Sequence, residues 1–427
     1  MILLALILFT LVVRGRAAAI NQDALFRDVD GYGRISRQLF EHRTFREANN
    51  TMRTGTAYRP PLYPLLLVPS NAWPQPQVFV GWMHVILGAA TVWGTWRLGQ
   101  LCGLPDWGSA AAGVLVAVDP ILVNQSVLVM SETLAALLSV WSMVALVGLM
   151  RSPSVRRAVA AGAMIGLCAL CRPEFLVWFA CLAIALPFVL ARRTPRAALL
   201  CGTFVTIAAL VVAPWPLRNW IQFGRPIITT THGGYTMLLG NNPDFYEYLR
   251  TGAWGTVWNA SAFNAQWSAE LAWPNYRRNV GGAWQRDELA ADARAYELAF
   301  ENIRAEPGMF AYACLVRVGR LWAVLPHATD AGESPAARGL RYSVAIWYVS
   351  QFALALVGVR SLGRKLLASP WLWGLLLAVS LTAVHTVYWS NMRMRAPLVP
   401  WLALLAVAGA VWLASGRQAV TSRPATS

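Results

Sequence analysis

Between residues 21 and 77 the chain gathers side chains that can do chemistry in surroundings otherwise too apolar for them. Asp28-Val-Asp30-Gly-Tyr32 stands near the start of this stretch, and Tyr58-Arg59-Pro-Pro-Leu-Tyr63-Pro64 near its end. Further along come Ser131-Glu132, Cys171-Arg172-Pro-Glu174 and Arg393-Met-Arg395. Carboxylates can take a proton from an attacking hydroxyl or hold a metal. Arginines present permanently charged planar forks suited to phosphate. Together these residue types suit transfer of a group from a phosphate-bearing lipid to a hydroxyl acceptor.

The elements that must position them are membrane spans. Of 427 residues, 57% are hydrophobic and only 13% charged, and mean hydropathy is +0.45. Soluble proteins are usually about 25% charged. A bilayer-spanning helix needs roughly 20 apolar residues. The first run extends from the N-terminus to about Ile20, with no basic segment before it of the kind a signal peptide carries. Others follow at about 78–99, 108–126, 128–150, 158–172, 174–191, 197–214, 342–359, 369–389 and 397–415. The expected fold is an all-α polytopic membrane protein of about ten transmembrane helices. It forms one integral-membrane domain, 1–427, with large loops at 21–77 and 215–341.

The net charge of +16 comes almost wholly from arginine, Lys365 being the single lysine. Nucleic acid is excluded as a partner, because the arginines lie at span ends and in loops instead of on one soluble face. Arg151, Arg156, Arg157, Arg192, Arg193, Arg196, Arg360 and Arg364 fall in short turns that the positive-inside rule puts in the cytoplasm. Both large loops then share the extracytoplasmic face of the cell membrane, where basic groups also meet lipid headgroups. Segment 308–325, interrupted by Arg317 and Arg320, is expected to lie along that surface. Arg172, Arg393 and Arg395 oppose the rule, which is better explained by an anion held there. The six cysteines give no disulfide framework, and Cys168-x-x-Cys171 reads as packing.

The ordered motifs resemble the GT-C membrane glycosyltransferases, near the bacterial protein O-mannosyltransferases and the lipid A aminoarabinose transferase. Asp28-Val-Asp30-Gly-Tyr32 before a helical 35–39 looks like that group's first-loop motif. Arg59-Pro-Pro-Leu-Tyr-Pro64, Ser131-Glu132, Gly162 and Gly166 before Cys171-Arg172-Pro173, Pro214-Trp-Pro-Leu-Arg218-Asn219, Gly240-Asn-Asn-Pro243 and Arg393-Met-Arg395-Ala-Pro397 follow in its order. The resemblance implies a polyprenyl-phosphate-linked sugar donor, inversion at the anomeric carbon and an extracytoplasmic site. It puts the acid/base position on Asp28 and a donor-phosphate contact on Arg59. The soluble C-terminal domain or extra spans of several relatives are not expected here, so the acceptor (glycan, lipid or protein) is not carried over.

Each residue also has a plainer reading. Asp28 or Asp30 can cap the helix that follows, and Asp30 lies nearer to it. Asp-x-Asp can hold a divalent cation, but two carboxylates alone do not make a metal site, and no metal or cofactor is expected. Tyr32, Tyr58 and Tyr63 also suit the aromatic belt at headgroup depth. Arg59, Arg393 and Arg395 also suit snorkelling, and Glu132 suits a structural pair with Arg172. His232 is set aside as a loop residue, and the tryptophans of 254–284 suit an interfacial mat. The expected substrate contacts are Asp30, Tyr32, Tyr58, Arg59, Tyr63, Glu132, Arg172, Arg393 and Arg395, with Asp28 as general base. The rival readings are a lipid-linked-sugar flippase, whose charges would lie near the midplane in broken helices, and an O-antigen-type polymerase or ligase.

Overall fold

A computed structural model describes residues 1–47, 55–253, 255–271, 277–280, 283–328 and 332–415. Each of the ten apolar runs is a helix or a helix pair. The first is α1 (Ile2–Ile20), followed in the first large loop by α2 (Tyr32–His42) and α3 (Leu62–Leu67). Next are α4 (Pro76–Leu101), α5 (Asp106–Ala117), α6 (Pro120–Ser126), α7 (Glu132–Arg151), α8 (Val155–Cys171), α9 (Phe175–Ala191) and α10 (Ala197–Val212). α11 (Pro214–Phe223) carries α10 onward, well past the expected end of that run. Pro214 permits this because proline at a first helical turn gives up an amide that has no partner there anyway.

The second large loop is itself folded. It holds α12 (Gly233–Leu239), α13 (Pro243–Thr251), α14 (Ser261–Glu270), an antiparallel hairpin of β1 (Arg277–Val280) and β2 (Ala283–Arg286), α15 (Glu288–Ala305) and α16 (Pro307–Leu321). The chain closes with α17 (Pro335–Leu362), α18 (Leu372–Val387), a 3-10 turn Met392–Leu398 and α19 (Val399–Ala414). By length and apolarity, six of the described helices can cross a membrane, seven if the bent α5–α6 pair is one span. α9 and α18 are shorter apolar helices. The chain is therefore a multi-pass membrane protein.

Burial sorts the spans. α7 and the span ending in α19 have 72% and 78% of their apolar windows inside the protein, whereas α1 and the α10–α11 span have 17% each. The first pair forms the centre, and the second faces lipid. With no water to favour burial of one apolar helix against another, close backbone approach does the work. A Cβ at Gly358 of α17 would strike the Leu405 carbonyl of α19, and one at Gly166 of α8 would lie 2.7 Å from Val211 Cβ of α10.

Polar groups inside the bundle satisfy broken backbone. α5 and α6 meet at 51°, leaving carbonyls without intrahelical donors. Arg14, 1% exposed, donates from Nη2 to Val116 O at 2.9 Å and from Nη1 to Leu122 O at 3.2 Å. Asp119 caps α6 through the Leu122 amide at 3.0 Å and accepts from the Tyr348 hydroxyl. Arg317 of α16 does similar work for α12 and α18, bonding the Gly240 and Thr386 carbonyls. Its guanidinium is fully buried, not snorkelling. Of the tryptophans in 254–284, Trp258 and Trp267 pack into the cores of the second loop. Trp254 and Trp273 lie outside the described residues, as does the side chain of Trp284.

Candidate active site

At one end of the bundle a cavity of about 660 Å³ opens between the two large loops. Its lining comes from the 21–77 loop, the α7 start, the α8–α9 turn, the 229–239 segment and α15, and the stretch from α18 into the 3-10 turn.

Local geometry separates the two aspartates of the first loop. Gly31 sits at φ +77°, a left-handed conformation that glycine adopts without a Cβ clash, and the chain turns there into α2. That turn swings Asp28 back over the start of α2. Its Oδ1 accepts the Gly33 amide at 3.1 Å and its Oδ2 the Arg34 amide at 2.8 Å. Asp28 thus performs the capping task from just outside the helix, and it does not line the cavity. Asp30 does line it. Capping therefore falls to Asp28, where the motif resemblance puts the acid/base position, and the cavity to Asp30, an expected substrate contact.

Around Asp30 the cavity wall is a network of three guanidinium groups and three carboxylates. Arg59 Nη2 meets Asp30 Oδ1 at 3.1 Å, and Arg59 Nε donates to the Asp30 carbonyl at 2.8 Å. Arg393 Nη1 stands 4.0 Å from Asp30 Oδ2 and 3.6 Å from Glu132 Oε1. Arg172 Nη1 meets Glu132 Oε1 at 3.2 Å, and its Nε meets Glu174. Three positive and three negative charges balance, as burial at such depth requires. Arg393 keeps 29% of its side chain exposed against 14% for Arg59 and 11% for Arg172, and is the cation most open to a ligand.

Tyrosines support this wall in layers. Arg59 stacks over the Tyr32 ring at 5.4 Å and the Tyr58 ring at 5.1 Å, and both tyrosines line the cavity. Burial pushes the Tyr32 phenol up, with Arg59 offsetting it only in part, so the hydroxyl stays protonated as a donor. Tyr63 lies behind, edge-on to Tyr32 at 5.1 Å and bonded to His84 Nε2 at 2.8 Å. It supports Tyr32 and does not reach the cavity.

Arg393 and Arg395 part company. In a 3-10 turn, with about three residues per turn, side chains two apart leave in widely different directions. Arg395 is fully buried outside the cavity, stacked on Tyr348 at 4.3 Å and donating to the Leu321 carbonyl at 2.9 Å. The expected set thus divides. Asp30, Tyr32, Tyr58, Arg59, Glu132, Arg172 and Arg393 come together around the cavity, and Asp28, Tyr63 and Arg395 do not.

Sequence reasoning passed over the facing wall, which carries Tyr235, Tyr296, Tyr388, Trp389 and two histidines, His232 and His385. His385 ends an apolar helix, and an ionisable group within such a run was the available signal. Beside the cavity an apolar groove of about 320 Å³ runs between α8, α9 and α10, and Leu176 lines both. Among the described residues no group of three or more His, Cys, Asp or Glu converges as a metal would require.

No family model matches the chain, and no curated protein matches it. Among solved structures the chain is similar to ArnT from Cupriavidus metallidurans. The apo crystal structure matches at TM-score 0.39 and 14% identity, and the crystal structure bound to undecaprenyl phosphate at TM-score 0.39 and 13% identity. Each match covers 95% of this chain and 78% of the other. A likeness this remote transfers no function.

Proposed function

We propose that the protein is a membrane glycosyltransferase taking its sugar from a polyprenyl-phosphate carrier and passing it to an acceptor hydroxyl on the extracytoplasmic face. One observation carries the reading: a charge-balanced arginine–carboxylate cavity shares Leu176 with an apolar groove on the lipid-facing α8–α10 flank. A phosphate on an apolar chain is the chemistry that needs both at once. The motif order in the sequence points the same way.

In this reading the lipid phosphate docks on Arg393 and Arg59, and Arg172 holds Glu132 and Glu174 in place. The acceptor oxygen attacks the anomeric carbon as the bond to the phosphate oxygen breaks. Departing charge passes to guanidinium groups already fixed in position, so little reorganisation is needed. Asp30 takes the acceptor's proton. As the phosphate draws on Arg59 and Arg393, lone pairs of Asp30 that faced those arginines become available. Asp28 has both oxygens committed to α2 amides, which favours Asp30 for this role.

The test is release of carrier. Purified protein in nanodiscs, given undecaprenyl phosphate-linked sugars and cell-envelope acceptor, is expected to liberate undecaprenyl phosphate. Label crossing the bilayer of proteoliposomes with no release would replace the transferase by a flippase.

A further inference from the structure

The wall facing the arginines is made of rings and hydroxyls. Tyr58 and His232 stand 4.2 Å apart between ring centroids, and His232 and Tyr235 5.3 Å apart and nearly parallel. The Tyr296 and Tyr388 hydroxyls approach to 3.2 Å. Such a surface suits a sugar ring, whose C–H faces stack on aromatics while its hydroxyls look for partners.

His385 supplies a specific partner. It is 5% exposed and lines the cavity. Its Nδ1 lies 3.1 Å from the Trp389 carbonyl, which can only accept, so the proton sits on Nδ1. Nε2 of the neutral ring is then a bare lone pair, buried and without a hydrogen-bond partner. Leaving a buried acceptor unmet is unfavourable, and an incoming O–H removes that cost.

The charges nearby are already spoken for. Asp30, Glu132 and Glu174 each face a guanidinium group. The lone pairs that a bound phosphate frees on Asp30 go to the acceptor's proton in that same reading, and Asp292 accepts the Gly234 amide. Among the described residues none of these is left for the ammonium of an amino sugar. Arg59, Arg172 and Arg393 face these carboxylates and, in the transferase reading, the donor phosphate, so none is left for a uronate. Resting on that reading, we infer that the transferred group is a neutral sugar, stacked on the aromatic wall with one hydroxyl donating to His385 Nε2. A site that hydrogen-bonds a substrate hydroxyl discriminates strongly, because its own polar atom is stranded when the hydroxyl is missing.

The experiment measures binding by the full chain in nanodiscs, with bare undecaprenyl phosphate as reference. The probes are undecaprenyl phosphate carrying glucose, mannose, arabinose, 4-amino-4-deoxyarabinose or glucuronic acid. At least one neutral-sugar lipid is expected to bind about tenfold tighter than the bare carrier, the scale of one or two hydrogen bonds, and the charged-sugar lipids no tighter than it. His385→Ala should erase that advantage and leave the bare carrier's affinity unchanged. His385→Gln, whose amide oxygen can accept, should recover part of it. Tightest binding of a charged-sugar lipid, or equal binding of all probes, overturns the inference and spares the transferase. Equal weakening of bare and sugar-bearing carrier by His385→Ala makes His385 structural and overturns it too. Failure of every probe to bind, bare carrier included, overturns the transferase reading along with it.

Discussion

Two clusters of arginine and carboxylate lie inside this protein, and they differ in what closes around them. In the first, Asp30, Arg59, Glu132, Arg172 and Arg393 pair side chain to side chain and face a cavity. In the second, Arg14 and Arg395 donate mainly to backbone carbonyls, Asp119 caps α6, and Tyr348 lies between them, all nearly or fully buried. Side-chain pairs can exchange a partner for a ligand. Guanidinium groups holding the ends of broken helices cannot leave without stranding carbonyls where no water reaches. The same residue types thus make a site in one place and a joint in the other.

The sharpest way to break this contrast is to neutralise one carboxylate. Asp30→Asn is expected to lower sugar transfer about 10²–10⁴-fold, the usual contribution of a general base, with the thermal unfolding midpoint little changed. Wild-type turnover by that variant would remove Asp30 from the chemistry. In the sealed cluster the expectation reverses. Arg395→Ala leaves the Leu321 and Ala323 carbonyls without that donor, and each buried group left unmet costs about 1–3 kcal/mol. Folded yield in detergent should collapse before any effect on binding can be read. A stable Arg395→Ala protein that binds no carrier would merge the two clusters into one site.

A smaller effect separates the two first-loop aspartates. Asp28→Ala removes the cap of α2 and should cost about 1 kcal/mol of stability, with transfer reduced several-fold through a loosened Tyr32. Asp28→Asn keeps one of the two acceptors and should fall between the alanine variant and wild type. Abolished transfer in a well-folded Asp28→Asn would return the base to Asp28, where the motif resemblance puts it.

How much of this was legible beforehand follows from the physics of each feature. The multi-pass character was legible because a bilayer forces long apolar stretches; the number of crossings was not, since six described helices, or seven with the bent α5–α6 pair, are long and apolar enough. Glu132 with Arg172, and Arg393 as a cation apart from the topology rule, were legible because charge near a membrane span needs a reason. The fate of Arg395 was not, since it depends on the 3-10 turn that sends it away from Arg393. Nor was that of Arg14, which serves a helix break about a hundred residues further on. Asp28 and Asp30 differ only through the left-handed turn at Gly31, and the spacing alone serves either. His385 has no spacing partner, and its one sequence signal is an ionisable ring ending an apolar run; its unmet Nε2 needs the structure.

Glu288 offers the mildest test, because it lies between the two kinds of cluster. It accepts the Ala57 amide at 3.0 Å and the Thr231 hydroxyl at 2.9 Å, tying the loop segment that carries Tyr58 and Arg59 to the segment that carries His232. Burial raises its pKa above the ordinary 4.5, and the bonds from Thr56, Ala57 and Thr231 offset this only in part. A carboxyl raised in the folded state contributes its stability fully below 4.5 and loses it as pH climbs through the raised value. Exchange protection of the Ala57 amide, corrected for the intrinsic rate, should therefore fall from pH 5 to pH 8 in the wild type. Glu288→Gln has nothing to titrate there and should give a flat profile. If both proteins lose protection equally, the tie is not set by Glu288, and this edge of the cavity behaves as a sealed joint instead of an adjustable one.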